Sequence, residues 1–295
     1  MNVLVVGVTG LLGAEIARRL KAGGHAVSGL VRPGSPKEAT VRALGVEVRR
    51  GDLRDPASLT TACRGVEAIV ATATAVASGG SGNSLAAVDG QGYASLLEAA
   101  RATGVKRFVY VSASPKCGES SPLIHHKRAT ERLVRASGLD YVILQPTFFM
   151  DIWFSPALGW DLEAGKAQIF GAGDAPISFI ALGDVAAYAV AVLEATGVKN
   201  QVIPLGGPEA LSPLRALAVI EQAVGKTFKV TTLPGFVPRM ASMVLKPFNP
   251  KLSSLMGLGA ETLTGDAIDP VKARAIAAVP FTSLAEWVGK TTRTG

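Results

Sequence analysis

"NVLVVGVTGLLGAEIARRLKA", residues 2–22, decides the fold. Asn2 to Val6 read as a short buried strand that runs into a glycine. Residues 11–22 then put Leu12, Ile16 and Leu20 on one face of a helix. Between the two lie Gly7, Gly10 and Gly13, spaced three apart. A glycine pattern alone is weak evidence. Set after an apolar strand and before an amphipathic helix, it marks a turn that can hold a pyrophosphate. Glycine lets such a turn fold tightly and lets the backbone approach an anion, and Gly13 permits close helix–sheet packing. The N–H groups that open the helix, from Thr9 through Leu11 and Leu12, face that anion with the helix dipole behind them.

Working outward, strands and helices alternate. "HAVSGLV" (25–31), "VEVRR" (46–50), "EAIVAT" (67–72), "RFVYVSA" (107–113) and "DYVILQ" (140–145) read as further strands. A helix over 90–103 aligns Tyr93, Leu96, Leu97 and Ala100. This rhythm predicts an α/β fold: a doubly wound parallel sheet of Rossmann type, covered on both faces. Past residue 148 the rhythm loosens into "FFMDIWFSPALGW", then returns in a helix over 184–195 and a strand over 201–207. Four prolines (234, 238, 247, 250) among Met, Leu and Phe over 233–265 suggest short helices, or a membrane-surface patch. The expected organisation is a dinucleotide-binding core over 1–150. A smaller C-terminal substrate lobe over 151–295 interleaves with it in one compact unit.

The end of the second strand selects the cofactor. An acidic residue there would hold the ribose hydroxyls of NAD(H) and repel a 2′-phosphate. "LVRPGS" offers Arg32 and no acid, with Ser35 and Lys37 nearby, so NADP(H) is expected. After the third strand, Asp52 either accepts from the adenine amino group or caps a turn, and Leu53 packs on the ring. "ATATA" (71–75), with Ala73 at its centre, suits either a backbone lying against the cofactor or plain packing.

The whole chain narrows the rest. Its 295 residues are 48% apolar and carry a net charge of +7. Lys and Arg are scattered, without a basic stripe interleaved with aromatics, which argues against nucleic acid and for a phosphate-bearing ligand. Two isolated cysteines, no metal-ligand spacing and no charged leader before an apolar run point to a cytoplasmic protein without a metal. No stretch is long and apolar enough to span a bilayer. Peripheral membrane contact stays open, and the oligomeric state is not legible.

Six stretches, in order, resemble the atypical short-chain dehydrogenase/reductase superfamily, in its NmrA-like branch. They are "VLVVGVTGLLGAEIARRL", "LVRPGS", "GDLRDPASL", "LLEAARATGVKRFVYVSAS", "HHKRATERLVRASGLDYVILQPTFFM" and "FIALGDVAAYAVAVL". Together they cover about residues 2–195, and the tail beyond 205 matches only loosely. The resemblance implies an NADPH-dependent reductase, although the branch also holds cofactor-binding regulators and assembly factors. Carried over by position, it gives the pyrophosphate to Gly7, Gly10 and Gly13 and the 2′-phosphate to Arg32. Lys127 falls where the family's lysine bonds the nicotinamide ribose and aids proton transfer. Pro146 and Thr147 fall beside the nicotinamide, and Ser114 near the serine that orients a substrate carbonyl. The tyrosine expected four residues before the lysine is replaced by Leu123.

Lys127 is therefore the expected proton donor or orienter; His125 or His126 either passes protons to the site or is a partly exposed residue at the helix start. Read without the resemblance, it is equally a surface lysine on a charged helix, with Glu131 one turn away pairing with it, Arg128 or Arg135. Phe148, Phe149, Trp153, Phe154 and Trp160 are candidates for the wall of an apolar substrate pocket, or for ordinary core. An apolar carbonyl, quinone or enone fits that composition.

Overall fold

The computed structural model describes residues 1–76, 82–119 and 121–294, apart from the side chains of 250, 251, 255, 293 and 294. The side chain of Pro250, one of the prolines noted above, thus lies outside the described residues. The first half alternates as expected. In chain order it runs β1 (Asn2–Val6), α1 (Leu11–Ala22), β2 (Ala26–Val31), α2 (Glu38–Ala43), β3 (Glu47–Arg50), α3 (Pro56–Cys63) and β4 (Ala68–Ala71). A π-helical turn, Ala86–Gly92, then leads into α4 (Tyr93–Ala102). After it come β5 (Arg107–Val111), α5 (Pro122–Ala136) and β6 (Asp140–Pro146).

The remainder contains α6 (Met150–Trp153), β7 (Lys166–Phe170), α7 (Leu182–Glu194), β8 (Gln201–Leu205), α8 (Pro213–Val224) and β9 (Lys229–Leu233). It closes with α9 (Phe236–Leu245), α10 (Pro250–Glu261), α11 (Val271–Ile276) and α12 (Leu284–Thr294).

The large sheet has strand order β3-β2-β1-β4-β5-β6-β8. β1 to β6 pair in parallel. β1, β4 and β5 are apolar and buried almost throughout, as strands covered on both faces must be. The chain reverses direction across the sheet between β1 and β4, so loops leaving their carboxyl ends border the crevice where such sheets bind ligands.

Two compact units emerge. The first comprises 1–112, 122–145 and 185–203; the second comprises 113–121, 146–184 and 204–295. The chain passes from the first unit to the second after residue 145, and 185–203 returns to the first unit. In the second unit β7 and β9 pair in parallel, and α9 packs on α10. Trp153, Phe154, Trp160 and Phe179 pack together there, with Phe154 in ring contact with both Trp160 and Phe179.

Candidate cofactor and catalytic site

The three glycines divide by physical cause. Gly7 has φ +98°, a conformation other residues rarely adopt, and a Cβ there would sit 2.6 Å from Thr72 Oγ1. At Gly13 a Cβ would overlap the Gly7 carbonyl. Those two are glycine because the fold demands it. Gly10 is different. Its backbone is ordinary extended chain, φ −92° and ψ 164°, and a Cβ would meet only the Gly7 carbonyl, at 3.4 Å. No side chain caps α1, and Leu11 beside it is 70% exposed. The first turn of α1 thus offers backbone N–H groups and a surface that a Cβ at residue 10 would crowd. That is the shape a pyrophosphate needs, and the residues present fit a dinucleotide.

Around this turn, Lys37 donates to the Thr9 carbonyl at 3.1 Å, holding a cation over the loop. Arg32, at the end of β2, is exposed, and its guanidinium makes no hydrogen bond or ion pair among the described residues. Asp52 is engaged differently. Its carboxylate accepts from the Arg54 backbone at 2.9 Å and from the Arg54 side chain at 2.6 Å. The Arg54 hydrogen bond holds Asp52 below the usual carboxylate range. The turn role of Asp52 is therefore present, while Asp55 caps α3 by accepting from Ala57 and Ser58. Leu53 is buried against Gly92, where a Cβ would lie 2.8 Å from its own Cβ. Ala73 abuts Gly7 through its backbone, and its carbonyl accepts from the Tyr93 hydroxyl at 2.7 Å.

Lys127 is not a surface lysine. It is buried on α5, donates to the Val111 carbonyl at 3.0 Å and stands 5.4 Å over the Tyr110 ring. Burial lowers its pKa; the nearby carboxylates of Asp89 and Glu131 oppose that shift. Glu131 itself pairs with Arg128 at 2.5 Å and accepts from Ser112 and Gln145. Of the two histidines, His125 is exposed, while His126 is half-buried with its pKa lowered by burial. A Cβ on Gly90 would lie 3.1 Å from His126 Nδ1, so this ring borders the π-helical turn.

Sequence reasoning missed Asp89. Fully buried in the π-helical turn, it accepts from the Ala75 backbone at 2.8 Å through one oxygen. Thr74 also bonds this carboxylate, whose Oδ1 has no hydrogen-bond partner among the described residues. Burial raises its pKa, and Lys127 opposes the rise. The only signal was one acid inside an apolar run, "AAVDGQGYASLL", and the two glycines beside it read as a loop. π-Turns are frequent at functional positions.

The other expected residues belong to the second unit. Ser114 is buried and donates to Asp266 at 2.6 Å. Thr147 is buried, its hydroxyl donating to the Ser178 carbonyl, while Pro146 ends β6. Of the aromatic candidates, Phe148, Trp153, Phe154 and Trp160 are buried core, and Phe149 is half-buried. The void beside Trp153, Phe154 and Trp160 is only about 20 Å³, room for one water and not for a quinone.

A family model described as NAD(P)H-binding matches residues 7–196, the stretch from the glycine turn after β1 through α7. The chain belongs to this family. The atypical short-chain superfamily suggested by the motifs contains it. A (4-alkanoyl-5-oxo-2,5-dihydrofuran-3-yl)methyl phosphate reductase of Streptomyces griseus is 32% identical, over 83% of this chain and 82% of its own. A photosystem II assembly factor of Synechocystis is 30% identical, over 81% and 72%. Among solved structures, an NADPH-dependent quinone oxidoreductase of Escherichia coli, complexed with NADPH, matches with a TM-score of 0.76. Its identity is 25%, over 98% of this chain and 99% of that one. Among the described residues no helix is long and apolar enough to cross a membrane.

Proposed function

We propose that the chain is an NADPH-dependent reductase of a small apolar carbonyl, quinone or enone, with Lys127 supplying the proton. The observation that carries this reading is the burial of Lys127 beside Asp89, at the carboxyl ends of β4 and β5 and on the same edge of the sheet as the glycine turn. In this reading Gly10 and the first turn of α1 receive the pyrophosphate, and Arg32 with Lys37 receives the 2′-phosphate that distinguishes NADPH. The bound nicotinamide supplies a hydride. Lys127 donates a proton to the oxygen that gains negative charge, completing a two-electron reduction. Burial makes that proton easier to give; the charges of Asp89 and Glu131 keep it in place until needed. With Leu123 buried at the tyrosine position, no phenol takes part from there. The reductase names among the relatives support the reading. A reductase fed by NADPH, with both cysteines buried, fits the cytoplasm, where we place it.

The test is NADPH oxidation by the purified protein against panels of quinones, enones and aldehydes. Turnover of at least one class is expected. A second reading, a non-catalytic NADP(H)-sensing regulator or assembly factor, is favoured by Leu123 and by the relatives named as assembly factors. It gains if nothing turns over while a protein partner is retained only with cofactor bound. The cofactor assignment has its own check: Arg32→Ala should weaken NADPH binding roughly 10- to 100-fold, the worth of a charge-assisted hydrogen bond, and leave NADH unchanged. Equal loss for both cofactors would remove Arg32 from the 2′-phosphate.

A further inference from the structure

α9 is inside out. The side chains turned toward the rest of its unit are Pro238, Ala241, Ser242 and Leu245, with Ser242 and Ser253 in hydrogen-bond contact between α9 and α10. Its outward face carries the larger apolar groups: Phe236, Met240, Met243 and Val244, spaced as one stripe. Phe248, in the turn that follows, extends the stripe. Met243 is 77% exposed and Phe248 84%. Large contiguous apolar patches on a folded surface mark an interaction site.

The charge around the patch says what it faces. Between Glu221 and Glu261 the sequence holds Lys226, Lys229, Arg239, Lys246 and Lys251 but no acidic residue. With 23 acids in 295 residues, about three would fall in a stretch of that length. Arg239 and Lys246 are exposed on the helix and the turn that carry the stripe. Arg239 also acts on the half-buried Glu261. An apolar stripe with exposed cations beside it, in a stretch of sequence that holds no acid, is the pattern of a helix that lies in the headgroup layer of an anionic membrane.

We propose that the outward face of α9, with Phe248, docks the protein on an anionic lipid surface. The stripe enters the interface while Arg239 and Lys246 meet the lipid phosphates. The contact is peripheral and reversible, and it does not depend on whether the chain turns over a substrate.

The test is flotation of the full chain with vesicles of phosphatidylcholine alone and with vesicles rich in phosphatidylglycerol. Binding is expected to the anionic vesicles, weakened by salt, and not to the neutral ones. Arg239→Gln with Lys246→Gln should lower the partition coefficient roughly 25-fold, about fivefold for each basic side chain. Met243→Ser with Phe248→Ser should lower it about tenfold or more. These positions are exposed, so unchanged NADPH binding and thermal melting serve as the fold control. Failure to float with anionic vesicles overturns the proposal, as does flotation unaffected by either pair. So does sedimentation showing that the wild type self-associates while the Met243→Ser, Phe248→Ser protein is a monomer, which would assign the patch to a second copy.

Discussion

At the scale of single residues, the glycine turn separates what the fold needs from what a ligand needs. Gly7→Ala forces a non-glycine residue to φ +98° and against Thr72, so a loss of about 2 kcal/mol or more in stability is expected. Gly13→Ala collides with the Gly7 carbonyl and should lower the melting temperature as well. Gly10→Ala meets neither problem. It should change stability by no more than about 1 kcal/mol, the scale of an N-cap effect, yet reduce NADPH affinity by about tenfold or more. Thermal melting alongside cofactor titration of the three variants checks this; a Gly10→Ala protein that binds NADPH normally would remove the anion site from that turn. This much was legible in the sequence, because a glycine spacing between a strand and a helix constrains the backbone directly. Asp52 was only half legible. Its Arg54 partner lies two residues away, yet sequence alone does not decide whether a turn carboxylate faces its neighbour or a ligand.

At the scale of elements, α5 and the π-helical turn act together. The sequence shows α5 as a charged helix, with a mean spacing of Lys and Arg that suggests a solvated face. The structure turns Lys127 inward, because Val111 and Tyr110 on β5 receive it and Glu131 is taken by Arg128, Ser112 and Gln145. Helical periodicity does not encode that choice. Nor does it encode the π-turn, where one extra residue in the turn brings Asp89 into the same buried neighbourhood. A pH dependence follows. The folded pKa of Lys127 lies below the ordinary value, so the folded state releases that proton first as pH rises. Below the folded pKa the buried cation costs stability. Between the folded and unfolded pKa values the unfolded chain binds more protons, so this contribution to stability rises with pH. Turnover runs the opposite way: a protonated donor is required, and the rate should fall as pH passes up through the lowered pKa. Asp89→Asn removes a charge that raises that pKa. The alkaline limb of kcat should therefore move to lower pH in this variant. A limb that stays in place, or moves up, would detach Asp89 from Lys127.

At the scale of the whole molecule, a buried arginine helps tie a late segment of the chain to the first unit. Arg107 on β5 donates to the carbonyls of Val192, Ala195 and Val198 at 2.5, 3.1 and 2.6 Å, and pairs with Asp140 at 3.1 Å. It caps the carboxyl end of α7 and draws 185–203 back into the first unit. The rhythm of strands and helices changes past residue 148, but it does not specify which segment returns; the Arg107 contact joins carbonyls over 80 residues away. The second unit was poorly legible for a related reason: its apolar residues form a packed aromatic core and an outward stripe, and composition does not tell these apart. Arg107→Met should cost about 3 kcal/mol, leaving three carbonyls and Asp140 without their donor. In a chain of this size that is a fall of roughly 5 °C in Tm, read by calorimetry, and an unchanged Tm would contradict it. The role of Lys127 in moving the proton has a direct test in steady-state NADPH oxidation by wild type and Lys127→Met with the best quinone or enone found. A kcat lower by roughly 100-fold or more is expected in the variant, with NADPH still bound. A variant that retains full kcat would contradict it.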